Sequence, residues 1–234
     1  MLIQAAILAG GRGERMRPVT AEPKALLSVR GKPLLEHQLG WLKSAGFDEV
    51  ILCLGYRAER VRETFGDGSR WGMRIDYRIE AVPRGTAGAV RDLGEAVRGD
   101  LLIVYGDLYV EMPCRPLLDF HAGHDAAATL VVRHTDHPED SDLVEVADDG
   151  RIRAIGRRGS GKVSGEVACG AIWVIRRRML ERVPQDAPSD FARDIFPKAV
   201  AEGETLMAYR IEKGVADIGT PERYEAFRKR LSAP

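Results

Sequence analysis

The chain has 234 residues, 44% hydrophobic and 30% charged, with 35 basic side chains against 35 acidic ones. That balance argues against extended DNA or RNA as a partner, which would call for a basic excess, but leaves room for a small anionic substrate held by a few placed cations. No run is apolar enough to cross a bilayer, and Met1 to Gly10 lacks the basic leader of a signal peptide, so no membrane partner is expected. Cys53, Cys114 and Cys169 are far apart, odd in number and form no CxxC pair. Neither a disulfide frame nor a zinc site is suggested, and a cytoplasmic location fits.

Strand and helix signals alternate along the first half. Ile3–Leu8 is a continuous apolar run, as expected of a strand buried on both faces. A glycine-rich basic loop, Gly10–Pro23, follows it. Pro33 opens a helix whose Leu34, Leu35, Leu39 and Leu42 fall at helical spacing, with Ala45-Gly46 at its end. Val50–Leu54 reads as a strand, Ala58–Phe65 as a helix and Arg74–Ile79 as a strand. Thr86 is placed to cap a helix running to about Val97. Leu101–Tyr105, a helix at Leu117–Ala122 and a strand at Ala127–Arg133 complete this half. After about residue 135 a hairpin is expected, Leu143–Val146 with Ile152–Ile155 around Asp148-Asp149-Gly150. Gly170–Ile175 is a strand, Phe191–Val200 a helix and Leu206–Tyr209 a strand. A closing helix, Pro221–Leu231, has Thr220 as its cap. The alternation predicts a mostly parallel, doubly wound sheet with an antiparallel extension.

The stretch Leu8-Ala9-Gly10-Gly11-Arg12-Gly13-Glu14-Arg15-Met16 follows the first strand directly. Glycines there bring backbone N–H groups close to an anion, at the strand end where open α/β sheets bind ligands. The GxxxxGK[ST] phosphate loop is absent. A GxGxxG dinucleotide fingerprint is broken by Met16, and no acid ends the second strand, so a dehydrogenase is disfavoured. Arg15 and Lys24 put two cations near the loop, and Pro23 stiffens the approach to Lys24.

From Leu8 to Val29 the pattern LAGGxGxRMxPxT…PKxL, continued by Lys32-Pro33-Leu34-Leu35-Glu36, resembles the sugar-1-phosphate nucleotidyltransferases. The GTAGA form of Gly85–Ala89 is similar to mannose- and heptose-1-phosphate guanylyltransferases. The resemblance runs to about Phe227 and implies a Rossmann-like three-layer α/β/α sandwich with a mostly parallel mixed sheet. It implies one domain over residues 1–234: a nucleotide-binding half to about residue 135, then an antiparallel sugar-binding half. It further implies Mg2+ on Asp107, in Val104-Tyr105-Gly106-Asp107, and on Asp217, in Asp217-Ile218-Gly219-Thr220-Pro221. Either aspartate alone would more readily be read as a cap or turn residue.

The charges dictate the chemistry such an enzyme needs. A sugar phosphate oxygen is ionised at neutral pH, so no strong general base is called for. The obstacle is bringing one anion onto the α-phosphorus of another, and metal, Arg15 and Lys24 would neutralise the meeting phosphates. Leu8, Ala9, Gly10, Gly11 and Gly13 are the expected nucleotide-binding loop. Glu80, Pro83, Gly85 and Thr86, in a stretch resembling ExxPxGTAGA, are the expected base pocket. An ionised Glu80 only accepts hydrogen bonds; guanine offers adjacent N1–H and N2–H2 donors, whereas uracil and thymine offer one ring N–H, so GTP is favoured.

The sugar side departs from the pattern: Asp142 stands where Gly is usual, Arg157-Arg158 where Glu-Lys is usual, and Ala168-Cys169-Gly170 where Asn-Ala-Gly is usual. Arg158, Glu166 and Gly170 are the candidate sugar-phosphate residues, for a mannose, a heptose or a modified hexose. A uridylyl- or thymidylyltransferase of the same fold is the nearest alternative. A non-catalytic sugar-nucleotide sensor is another, opposed by the presence of Arg15, Lys24, Asp107 and Asp217. The oligomeric state is open, a homo-oligomer included. His121 and His124 read as surface histidines, Trp41, Trp71 and Trp173 as core, and Arg176-Arg177-Arg178 as a solvated helix start.

Overall fold

The computed structural model describes residues 2–161 and 163–232; Met1, Lys162, Ala233 and Pro234 lie outside them. The first half of the chain forms β1 (Ile3–Ala9), β2 (Ser28–Val29), β3 (Lys32–Pro33), α1 (Leu34–Ser44), β4 (Glu49–Leu54), α2 (Ala58–Phe65), β5 (Arg74–Ile79), α3 (Gly85–Arg91), β6 (Asp100–Tyr105) and β7 (Leu108–Val110). The rest forms α4 (Cys114–Ala122), β8 (Ala128–His134), β9 (Leu143–Val146), β10 (Ile152–Gly156), β11 (Val167–Ile175), α5 (Phe196–Ala201), β12 (Leu206–Arg210), β13 (Val215–Asp217) and α6 (Pro221–Ser232). The fold is α/β with a mixed sheet.

Two compact units make up the chain. The loop unit gathers Ala5–Pro83, Val104–Cys114 and Gly214–Pro234; the antiparallel unit gathers Met1–Gln4, Arg84–Ile103 and Arg115–Lys213. The units are therefore interleaved along the chain, because strands distant in sequence pair within each.

In the loop unit β1 pairs in parallel with β4, from Ala6↔Ile51 to Ala9↔Leu54, and β4 pairs in parallel with β5. Gly106 N, just past β6, donates to Leu8 O at 2.9 Å. The carboxyl ends of β1, β4 and β6 thus share one edge, and the glycine loop leaves from it. Gly55 is required there: a Cβ on it would lie 2.5 Å from Gly10 O. α1 buries Leu34, Leu35, Leu39 and Leu42 completely, the stripe its spacing predicts. A separate apolar cluster joins Met16, Leu27, Val29, Leu34, Tyr109, Ile218, Tyr224 and Phe227. Over it β7 pairs antiparallel with β13, Ala216 opposite Tyr109 and Asp217 opposite Leu108. Thr220 caps α6 as expected, Arg223 N donating to its Oγ1 at 3.3 Å.

The antiparallel unit is built on β11, which pairs antiparallel with β8 and with β9; β9 and β10 form the predicted hairpin. Its core holds Trp173, Phe191 and Phe196 with ring centroids 5.1–5.5 Å apart. The segment predicted as one helix over Phe191–Val200 starts with a π turn, Phe191–Ile195, whose first N–H groups are taken by Asp190. Thr86 is not a cap. Arg84 precedes α3, which stops at Arg91, and the Thr86 hydroxyl donates to Asp190 Oδ2 at 2.8 Å while accepting from Phe191 N at 3.0 Å. Tertiary contact has overridden the local capping preference.

Two charged features also differ from expectation. His121 is fully buried, its Nδ1 2.7 Å from Thr129 Oγ1 and its Nε2 3.8 Å from Asp100 Oδ2. Arg176 is an internal tie, binding Asp100 Oδ2 at 2.8 Å and the carbonyls of His121 and His124 at 3.1 and 2.6 Å. Burial, followed by the nearby Arg176 charge, pushes His121 down to about 4. Trp41 and Trp173 are core residues as expected, whereas Trp71 is half-buried against Phe65.

The folded protein keeps His121 neutral where the unfolded chain takes up a proton, so its contribution is full above pH 6.5 and shrinks as pH falls toward 4. Between pH 7 and pH 5 the wild type should lose roughly 2 kcal/mol of unfolding free energy more than His121→Gln. Urea unfolding at the two pH values measures this, and parallel losses in both proteins would rule it out.

Candidate active site

The loop unit brings several of the predicted residues to one place. Asp107 ends the turn after β6 and Asp217 ends β13; the β7–β13 ladder sets them side by side, with Ile218 N donating to Asp107 O at 3.0 Å. Two like charges so placed repel, and the chain supplies a cation to each. Lys24 Nζ lies 2.9 Å from Asp107 Oδ2, and Arg223 Nη1 pairs with Asp217 Oδ2. Asp217 Oδ1 accepts from Gly219 N at 2.8 Å. The remaining face of the pair opens on Gly219. A Cβ built there would meet Asp107 Oδ2 at 2.5 Å, Asp217 Oδ1 at 3.0 Å and Lys24 Nζ at 3.1 Å. Both carboxylates and the ammonium therefore surround one small notch, which exists because residue 219 has no side chain.

The apolar cluster explains why these side chains meet. Met16 follows Arg15, Leu27 closes the short turn begun by Lys24, and Ile218 follows Asp217; all three are buried in it. Beside these anchors Arg15 is left exposed and Lys24 and Asp217 half-buried. Arg15 lies close enough to Glu222 to affect it: hydrogen bonds from the Glu222 backbone and Thr220, with Arg15 and Arg223 nearby, hold that carboxyl below the usual range.

Glycine-loop residues Leu8, Ala9, Gly10 and Gly13 are half-buried and Gly11 is exposed. Glu80, just past β5, donates its backbone N–H to Leu54 O at 2.9 Å, and its Oε2 would lie 2.7 Å from a Cβ on Gly10. The carboxylate thus rests against the glycine loop, where only glycine leaves it room. Pro83 is exposed.

In the antiparallel unit Gly85 has φ +73° and presses against the Ser189 backbone, which only glycine permits. Arg157 Nε pairs with Asp142 Oδ1 at 2.8 Å, and Arg193 Nε lies 3.7 Å from the same oxygen. Two departures from the family pattern, at 142 and 157, are thus partners of each other. Arg158 is exposed, the exposed Glu166 takes His134 at 2.8 Å, and Gly170 is buried against Val131. Cys169 accepts from Trp173 Nε1 at 3.2 Å, and burial pushes its thiol up to about 12. Sequence reasoning named Gly219 within the Asp217–Pro221 motif but gave it no role, and passed over Arg223, Arg193 and Asp190. The last three belong to no motif whose chemistry announces them; each acts through a partner that only the fold supplies.

Among the described residues, no group of three or more His, Cys, Asp or Glu is placed to hold a metal ion, and no helix is long and apolar enough to cross a membrane. Two carboxylates facing one notch still suit a hard dication, since Mg2+ is commonly held by one or two carboxylates with substrate phosphates and water completing its shell.

Residues 4–233 match the family model described as Nucleotidyl transferase. The mannose-1-phosphate guanylyltransferase of Mycobacterium tuberculosis is 31% identical over 225 residues, 95% of this chain and 62% of the relative. The catalytic subunit beta of mannose-1-phosphate guanylyltransferase from Danio rerio is 32% identical over 228 residues, 95% of this chain and 62% of the relative. The chain spans about six tenths of the length of these curated relatives. A candidate glucose-1-phosphate thymidylyltransferase from Bacillus anthracis shares the fold with TM-score 0.88 and 20% identity, over 100% of this chain and 96% of that one. HddC from Yersinia pseudotuberculosis does so with TM-score 0.81 and 23% identity, over 99% and 100%.

Gly219→Ala places a methyl group in the notch. The variant should fold, with a circular dichroism spectrum like that of the wild type, and bind Mn2+ at least about tenfold more weakly by calorimetric titration. Unchanged binding would show that the notch holds no cation.

Proposed function

The chain belongs to the nucleotidyl transferase family, and on that premise we propose that it transfers a nucleoside monophosphate, GMP by preference, from a triphosphate to a sugar 1-phosphate, releasing pyrophosphate. The observation that carries this reading is the neighbouring acids Asp107 and Asp217, at the end of the β7–β13 ladder, beside Lys24 at the Gly219 notch. Two acids facing one notch suit a dication, and they lie on the unit that carries the glycine loop. The guanylyltransferase relatives support the preference for guanine and for a sugar 1-phosphate acceptor.

Magnesium is the proposed cofactor, with Asp107 and Asp217 as its protein ligands; when bound it would offset the negative charge of the phosphate oxygens. The chain's own groups do the remaining work. Backbone N–H groups of Gly10, Gly11 and Gly13 bind the triphosphate. Lys24 and Arg15 hold phosphate oxygens and stabilise the charge that builds as the sugar phosphate oxygen attacks the α-phosphorus. No residue has to remove a proton, because that oxygen is already ionised. Glu80, resting against Gly10, accepts from the guanine N1–H and N2–H2, and Pro83, Gly85 and Thr86 complete the proposed base-binding stretch. Arg158, Glu166 and Gly170 are the proposed contacts for a mannose, heptose or modified-hexose 1-phosphate. A cytoplasmic location accords with the three unpaired cysteines.

Arg15→Ala should keep the fold and lower turnover by about 10²–10³, the effect of removing one preorganised donor. Near-normal kcat would withdraw Arg15 from the site. The reading as a whole is tested by pyrophosphate release from five nucleoside triphosphates against several sugar 1-phosphates. GTP with a mannose- or heptose-type acceptor should lead, and UTP or dTTP exceeding GTP by more than about tenfold would overturn the role given to Glu80.

A further inference from the structure

Lys24 stands closer to the metal ligands than a phosphate-binding role alone requires. Its ammonium lies 2.9 Å from Asp107 Oδ2 and its side chain is only 17% exposed. It also lies 3.1 Å from the point on Gly219 that both carboxylates face. A magnesium ion sits about 2.0–2.1 Å from its oxygen ligands. An ammonium at 2.9 Å from one of those oxygens would put a single positive charge beside a double one in a half-buried notch, where screening by water is weak. The two cations cannot both take Asp107 Oδ2, the oxygen turned to the notch, without strong repulsion.

We propose that Lys24 and the divalent cation compete for Asp107, so that Lys24 acts as the notch's own counter-ion and makes metal binding depend on triphosphate. The inference rests on the metal reading above and adds an order to it. With Lys24 paired to Asp107, the metal gains little from the notch. Triphosphate oxygens offer Lys24 a more highly charged partner. Once Lys24 turns to them, Asp107 joins Asp217 in facing the dication. By linkage, whatever factor triphosphate adds to metal affinity, metal adds to triphosphate affinity. Arg223 plays no such part: it pairs with Asp217 Oδ2, while Oδ1 is the oxygen turned to Gly219. One carboxylate thus has a fixed cation and the other a displaceable one.

The test is counter-intuitive, because a substitution expected to damage turnover should improve metal binding. Mn2+ is titrated without nucleotide and followed by the electron paramagnetic resonance signal of the free ion, with folding checked by circular dichroism. Lys24→Met should bind Mn2+ at least about tenfold more tightly than the wild type. Lys24→Arg, which keeps the charge, should match the wild type, and Asp107→Asn should bind more weakly than either. Lys24→Gln, a neutral side chain of similar length, takes the place of Lys24→Met if that protein does not fold. Equal affinities in wild type and Lys24→Met, both reduced by Asp107→Asn, would overturn the competition and leave the metal site standing. No saturable binding in any of the proteins would remove both.

Discussion

The functional geometry depends on one register. The β7–β13 ladder puts Asp217 opposite Leu108, directly beside Asp107, although the two acids are far apart in sequence. An antiparallel pair fixes this neighbourhood to within one residue, because a slip by one would turn Asp217 to the other face. What holds the register is apolar: Tyr109 and Ile218 from the ladder and its end, Met16 and Leu27 from the glycine loop and the Lys24 turn, and Tyr224 and Phe227 from α6 are buried together. The charged side chains do not assemble the site. They are carried to it by hydrophobic neighbours one to three residues away in the chain, and the favourable burial of those neighbours offsets the cost of crowding charge above them.

Crowding two carboxylates has a consequence that the chain resolves with its own cations. Lys24 and Arg223 each take one acid, and Gly219 leaves the space between them open. The same logic appears in the other unit, where Asp142 is held by Arg157 and Arg193, and where Asp100 is held by Arg176 beside the buried His121. In each place a carboxylate is satisfied by an arginine or lysine, for Asp107 and Asp100 from a distant stretch of the chain, as removal of charge from water requires. At the Gly219 notch the partner of Asp107 is a lysine on a flexible stem, and a lysine is more easily drawn off than a forked guanidinium such as that of Arg223 on Asp217. That difference is what the proposed exchange of partners at Asp107 rests on.

Much of the fold was legible in the sequence. Ala58–Phe65 and Arg74–Ile79 form the predicted helix and strand with the predicted ends, and the apolar stripe of α1 is fully buried. The glycine loop, the cations near it and the two acids could be picked out because their motifs are contiguous. Periodicity and turn chemistry are local properties, so a sequence carries them directly. Family resemblance extended that reading to residues whose chemistry is silent on its own, such as Asp107 and Asp217.

Other features were decided by tertiary structure alone. Nothing local says that Thr86 binds Asp190 instead of capping its helix, that His121 is buried, that Arg176 is an internal tie, or that Asp142 and Arg157 are partners. The interleaving of two units follows from strand pairings between distant segments, which no window of sequence contains. By itself the sequence determined which stretches become strands, helices and turns, and which residue types could carry the chemistry. The tertiary structure decided which of those residues meet, because the energies that set a register and a partner arise only when distant segments are packed against each other.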